Sequence, residues 1–208
     1  MRPACALPYE LYAEGRLSAD GSSYELQLTA GNKVHGTSAA GAPFNVYLRN
    51  LNEKNGKGFQ AATYAVKAGD TLRQHYSLSL FAESKYSIEI HAPNGFYRAF
   101  AGNAEPVKTS VAYEKKGTEL TGNVVVRLRN ISSKSQNVTV ADNAYKAGSK
   151  HRAIGAGQEA SVILPLQQSH GWYDFSVKVD GSDAAARFAG RVETGRSSYS
   201  DPLMGGSL

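Results

Sequence analysis

Only one cysteine, Cys5, occurs in the 208 residues, so the chain forms no internal disulfide and its fold depends on a packed core. That scarcity leaves the compartment open, because a sandwich with an adequate core needs no covalent staple. No apolar run approaches the ~18 residues of a membrane-spanning helix. Dense basic stripes are missing too: the formal net charge is +5, yet Lys115-Lys116 is the one adjacent basic pair. A nucleic-acid binder would interleave such a stripe with aromatics. The charge therefore reads as a soluble basic surface, with at most a mild attraction to anionic membranes or acidic partners. The histidines, His35, His75, His91, His151 and His170, show no metal-ligand spacing with one another or with Cys5.

Catalytic signatures are equally scarce, and no catalytic, cofactor-binding or metal-binding residue is assigned. Gly155-Ala156-Gly157-Gln158-Glu159-Ala160 fits the letters of a dinucleotide fingerprint. That motif must open a helix, whereas this one runs into the strand-like Ser161-Val162-Ile163-Leu164, so it reads as a turn. In Gly36-Thr37-Ser38-Ala39-Ala40-Gly41 the second glycine comes one residue too late for a nucleophile elbow. The opening Met1-Arg2-Pro3-Ala4-Cys5-Ala6-Leu7-Pro8 lacks the apolar stretch of a signal peptide. It reads as the cut start of a longer protein with Met1 added, and an export signal would lie upstream.

What is present is abundant turn and strand chemistry. Glycine numbers 21 and tyrosine 12, suiting tight turns and strands respectively. Period-2 alternation places Tyr24, Leu26 and Leu28 on one face, then Phe44, Val46 and Leu48. Val124, Val126 and Leu128 follow the same rule, as do Tyr173, Phe175, Val177 and Val179. Asp20-Gly21, Asn94-Gly95 and Asp180-Gly181 supply the positive-φ positions of hairpin turns.

The chain also repeats itself. Phe100-Ala101-Gly102 matches Phe188-Ala189-Gly190, and Asn94-Gly95 matches Asp180-Gly181. Tyr86-x-Ile88-x-Ile90 matches Tyr173-x-Phe175-x-Val177, and the strand around Ser77 matches that around Ser161. Lys67-Ala68-Gly69 is aligned with Lys146-Ala147-Gly148, and Leu48-Arg49-Asn50 with Leu128-Arg129-Asn130. The period of about 85 residues is that of one small sandwich, too long for a solenoid repeat. The expected fold is all-β: two tandem immunoglobulin-like antiparallel β-sandwiches, residues 7–103 and 106–195, with a tail over 196–208. Asn103-Ala104-Glu105-Pro106 is the expected linker.

Four aromatics beside turns are the candidate membrane or partner contacts: Phe96, Tyr97, Trp172 and Tyr173. Such side chains dip into a membrane interface or stack on a ligand. Their competing role is to fill the ends of each sandwich core, and Trp172 in particular is expected to cap one.

These landmarks resemble a known family. Each copy is similar to the C-terminal domain, present as a tandem pair, of bacterial phosphocholine-specific phospholipases C. The resemblance rests on Ala4-Cys5-Ala6-Leu7-Pro8-Tyr9-Glu10-Leu11, His91-Ala92-Pro93-Asn94-Gly95-Phe96-Tyr97-Arg98-Ala99-Phe100 and Gly171-Trp172-Tyr173-Asp174-Phe175. It also rests on Phe188-Ala189-Gly190-Arg191-Val192-Glu193-Thr194-Gly195 and Ser200-Asp201-Pro202-x-Met204-Gly205. The resemblance implies a parent enzyme that releases phosphocholine from phosphatidylcholine, and often from sphingomyelin. It implies export, through secretion or to the periplasm, and an N-terminal catalytic domain of the alkaline-phosphatase type on the same polypeptide. No position here matches that domain's site residues, so this chain reads as a non-catalytic accessory region. Its implied partners are the catalytic domain and a phosphatidylcholine surface, with no nucleic acid and no cofactor. The alternative is a stand-alone carbohydrate-binding or adhesion tandem.

Overall fold

The computed structural model describes residues 1–55 and 58–204. The first copy contributes β1 (Pro3–Ala4), β2 (Leu11–Leu17), β3 (Ser23–Ala30), β4 (Ala42–Arg49), β5 (Phe59–Val66), β6 (Thr71–Ser77), β7 (Tyr86–His91) and β8 (Tyr97–Gly102). The second contributes β9 (Val107–Lys116), β10 (Glu119–Asn130), β11 (Gln136–Asp142), β12 (Ser149–Ile154), β13 (Glu159–Leu164), β14 (Trp172–Val179) and β15 (Ala185–Arg191), followed by β16 (Ser198–Tyr199). Short 3-10 turns complete the fold, and no α-helix occurs among the described residues.

The alternation seen in sequence sets the layers. Tyr24, Leu26, Leu28 and Ala30 of β3 are buried, as are Ala42, Phe44, Val46 and Leu48 of β4, while their neighbours face outward. Each copy packs a three-stranded sheet (β2-β3-β6, or β9-β10-β13) on four strands (β5-β4-β7-β8, or β12-β11-β14-β15). This is an immunoglobulin-like sandwich. The expected all-β tandem is therefore the observed fold.

The four-stranded halves do not stay separate. β8 pairs antiparallel with β15, fusing them into one eight-stranded sheet, β12-β11-β14-β15-β8-β7-β4-β5. The pairing is two-fold symmetric. Ala99 faces Arg187, its own counterpart in the second copy, and Phe100 faces Ala186 as Phe188 faces Arg98. One hydrophobic cluster runs through both copies. Aromatic rings carry it across: Tyr24 stacks on Tyr86 at 4.3 Å, Phe100 meets Phe188 edge-on at 5.9 Å, and Phe188 stacks on Phe175 at 5.3 Å. Each such pair adds about 0.5–1.5 kcal/mol beyond area burial.

The ladders correct two of the repeat landmarks. Leu48-Arg49-Asn50 closes β4 in the eight-stranded sheet, whereas Leu128-Arg129-Asn130 closes β10 in a three-stranded one. Leu48 pairs with Ile88 and Asp142 pairs with Phe175, so Asp142 is the true counterpart of Leu48. An inward Leu, an outward Arg and a turn-forming Asn suit the end of many half-buried strands, which is why the letters coincide. Likewise Lys67-Ala68-Gly69 joins β5 to β6, but Lys146-Ala147-Gly148 lies between β11 and β12. Its counterpart is Gly155-Ala156-Gly157, the fingerprint-like stretch. Asp70 N–H donates to Lys67 O and Gln158 N–H to Gly155 O, both at 3.0 Å, with φ 87° at Gly69 and 70° at Gly157. The strands around Ser77 and Ser161, β6 and β13, do correspond, though their ladders align Asp70 with Gln158 and so shift the two serines out of step.

Beyond the second copy, β16 turns back to pair with β1, and Ser200 N–H donates to Arg2 O at 2.8 Å. The tail motif is thus tied down through Ser200 and Asp201, Leu203 and Met204 are exposed, and Gly205 to Leu208 lie outside the described residues.

Candidate functional site

The motif residues converge on the seam between the copies. Pro93 to Phe96 form the β7–β8 turn, with Phe96 N–H donating to Pro93 O at 3.3 Å. Asn94 and Gly95 both adopt positive φ, 62° and 68°, the signature of a type I′ hairpin. A Cβ at Gly95 would lie 2.9 Å from Trp172 Cζ3, so the glycine also lets the second copy's tryptophan close over the first copy's turn. Trp172 Nε1 donates to Tyr199 O at 3.1 Å, which holds β16 in place.

Below this turn Arg98 is 2% exposed and has no carboxylate partner among the described residues. Its Nη1 donates to Tyr97 O and Ala189 O, both at 2.8 Å, and its Nη2 to Tyr173 Oη at 2.9 Å. The guanidinium lies 4.1 Å from the Phe96 ring centroid, 5.6 Å from that of Tyr173 and 5.3 Å from that of Phe188. Burying a charge is costly unless its donors are satisfied; here carbonyls, a phenol and ring faces replace the counterion. Because Ala189, Tyr173 and Phe188 belong to the second copy, Arg98 binds one sandwich to the other.

A second polar knot lies close by. Glu193, 1% exposed, accepts from Asn94 Nδ2 at 2.7 Å and from Leu7 N–H at 3.3 Å, and pairs with Arg191 at 3.2 Å. Glu10, also buried, accepts from Tyr12 Oη at 3.0 Å and Val34 N–H at 2.8 Å. Burial, helped by Glu10, pushes the Tyr12 phenol far above the usual tyrosine range.

Three of the four aromatics expected at a membrane or partner surface are buried: Phe96, Trp172 and Tyr173. Phe96 packs edge-on against Phe44 at 5.9 Å, and Tyr173 lies against Phe175 at the same separation. As folded, none of the three projects outward, so they make no outer surface in this structure. Tyr97 is half-buried on the open face of the eight-stranded sheet, between His91 at 4.8 Å and Arg187 at 5.7 Å. Arg187 is held by a bidentate pair with Asp174, whose carboxyl is kept below its usual range by Arg187 and Asn143 against the opposing effect of burial.

Sequence reasoning did not single out Arg98 or Glu193 as functional positions. A signal existed for the first: Arg98 is in phase with Phe96 and Phe100 on an alternating strand, so it had to point inward. Among the described residues no cluster of three or more His, Cys, Asp or Glu side chains is arranged to hold a metal ion.

The family model described as "Bacterial phospholipase C, C-terminal domain" matches residues 3–103 and again 107–191. The chain belongs to this family. It is 37% identical over 216 residues to a non-hemolytic phospholipase C of Pseudomonas aeruginosa, a match covering 99% of this chain and 29% of that protein. It is 35% identical to a hemolytic phospholipase C of the same organism (98% of this chain, 30% of that protein). A non-hemolytic phospholipase C of Burkholderia pseudomallei is 35% identical, over 98% of this chain and 28% of its own length. The chain thus spans about three tenths of the relatives it matches. It matches the family's C-terminal domain, which is present twice. A crystal structure of red sea bream transglutaminase aligns at a TM-score of 0.27 and 12% identity, over 85% of this chain and 29% of that one, too weakly to inform the fold.

Proposed function

We propose that this chain is the accessory region of an exported phospholipase C that releases phosphocholine from phosphatidylcholine. We further propose that it packs on the enzyme's catalytic domain through the end where its first and last segments meet. The observation that carries the reading is an apolar patch. Leu7, Tyr199, Leu203 and Met204 are exposed large hydrophobics on the first and last segments, which the β1–β16 pairing brings together. Contiguous exposed apolar surface marks an interaction site. The end is rigidly built: Leu7 N–H is tied to Glu193, Arg2 N–H donates to Ser200 Oγ at 3.0 Å, and Tyr145 Oη donates to Asp201 at 3.0 Å. A preformed surface binds without a large ordering cost.

The test is association in trans. The catalytic portion of the parent enzyme and this chain are produced as separate polypeptides and mixed. Wild-type chain is expected to co-elute with the catalytic portion, and the triple variant Leu7→Ser, Leu203→Ser, Met204→Ser to elute alone. Unchanged co-elution of the variant, or no association of the wild type, overturns the reading. Cosedimentation with phosphatidylcholine vesicles addresses the membrane role separately, with Tyr97→Ala as the informative variant because Tyr97 alone of the four aromatics reaches the surface.

A further inference from the structure

On the side opposite the eight-stranded sheet, the outer faces of the two three-stranded sheets meet along β2 and β9 and enclose a cleft of about 460 Å³. That volume falls within the range of small-ligand sites, about 300–1,000 Å³. Its walls carry five cations and three carboxylates. Two of the cations are spoken for: Arg16 pairs with Glu25 at 2.6 Å and Arg129 with Glu159 at 3.5 Å. Arg73, Lys108 and Arg127 have no carboxylate within ion-pair distance among the described residues, and Glu14 is the one acid left over. Arg73 comes from the first copy, Lys108 and Arg127 from the second. The site therefore exists only where the two copies face one another.

We propose that this inter-copy cleft binds a phosphate ester, the anion being held between Arg73 on one wall and Arg127 and Lys108 on the other. Guanidinium forks match the oxygens of phosphate in bidentate geometry. A tetrahedral phosphate group presents oxygens in several directions and so can accept from cations carried by more than one sheet. The same chemistry is offered by a phospholipid headgroup and by a soluble phosphate monoester, and the experiment separates them. The inference is independent of the docking surface above, since its test contains no catalytic domain.

Inorganic phosphate is titrated into the full chain by calorimetry at low ionic strength, and cosedimentation is measured with phosphatidylcholine vesicles doped with phosphatidylglycerol. Arg73→Gln and Arg127→Gln should each weaken binding about ten-fold, the loss of one charge-assisted hydrogen bond. Arg152→Gln, on exposed β12 outside the cleft, should leave it unchanged. Both cleft arginines are exposed, so the variants are expected to melt like the wild type. Vesicle binding that both variants abolish assigns the site to a lipid headgroup; binding of phosphate without vesicles assigns it to a soluble ester. No binding of either probe, or wild-type binding by both variants, overturns the proposal.

Discussion

Replacing Glu105 by Gln should stabilise the protein above neutral pH and leave it unchanged in acid. Glu105 lies in the segment joining the copies, at the seam lined by Tyr24, Tyr86, Phe100, Val177 and Val179. Its carboxylate accepts from Leu17 N–H at 3.0 Å. Burial pushes its pKa from 4.5 up to about 7, more than the Leu17 bond and the charges of Lys108 and Arg16 pull it down. The folded state therefore holds a proton that the unfolded state has released. The associated stability is full below about pH 4.5 and is lost as pH rises to about 7, because there the folded chain binds more protons than the unfolded one. At 1.36 kcal/mol per pKa unit the full swing is about 3 kcal/mol. Glutamine keeps an acceptor for Leu17 N–H and carries no charge to desolvate. Urea unfolding of both proteins at about pH 4 and pH 8 should give equal stabilities in acid and an advantage of about 2–3 kcal/mol for Glu105→Gln in base. A difference that does not change with pH would refute the reasoning, since other titrating groups are common to both proteins.

Other perturbations probe the seam. Arg98→Leu removes donors from Ala189 O, Tyr97 O and Tyr173 Oη, and should cost about 3 kcal/mol in denaturant unfolding. Gly95→Ala combines a positive φ of 68° with a 2.9 Å approach to Trp172, and should lower stability by about 1–2 kcal/mol while changing tryptophan fluorescence. Phe188→Ala empties the centre of the aromatic chain and should cost about 3–5 kcal/mol, with both copies losing stability together in a single calorimetric transition.

Much of this architecture was readable from local chemistry. Alternation in β3, β4 and β14 depends only on which face is buried, and the Asn94-Gly95 turn only on two backbone angles. The closing hairpins aligned correctly because Tyr86, Gly102, Tyr173 and Gly190 occupy matching paired positions in the two ladders. The earlier landmarks failed because the loop after β3 runs from Gly31 to Gly41, far longer than the Ile131 to Ser135 connection after β10, so local look-alikes filled the gap. The β8–β15 pairing was not legible, since an edge strand's sequence does not say which edge it meets. Phe96 and Tyr173 are buried by the inward phase they share with Arg98 and Phe100 and with Phe175, whereas Trp172 closes over the other copy's Asn94-Gly95 turn. The cleft was hidden for a related reason: Arg73 and Arg127 come together only through the packing of two separate sheets.

The β8–β15 pairing also has a consequence during synthesis. The first copy leaves the ribosome with β8 as an open edge, its backbone donors and acceptors unpaired, and the strand that seals it is made about 85 residues later. At bacterial elongation rates of about 5–20 residues per second, that edge waits for roughly 4–17 s. Unpaired edges template association with other chains. A first copy that folds before the second is complete would carry this open edge, and pairing with β15 closes it.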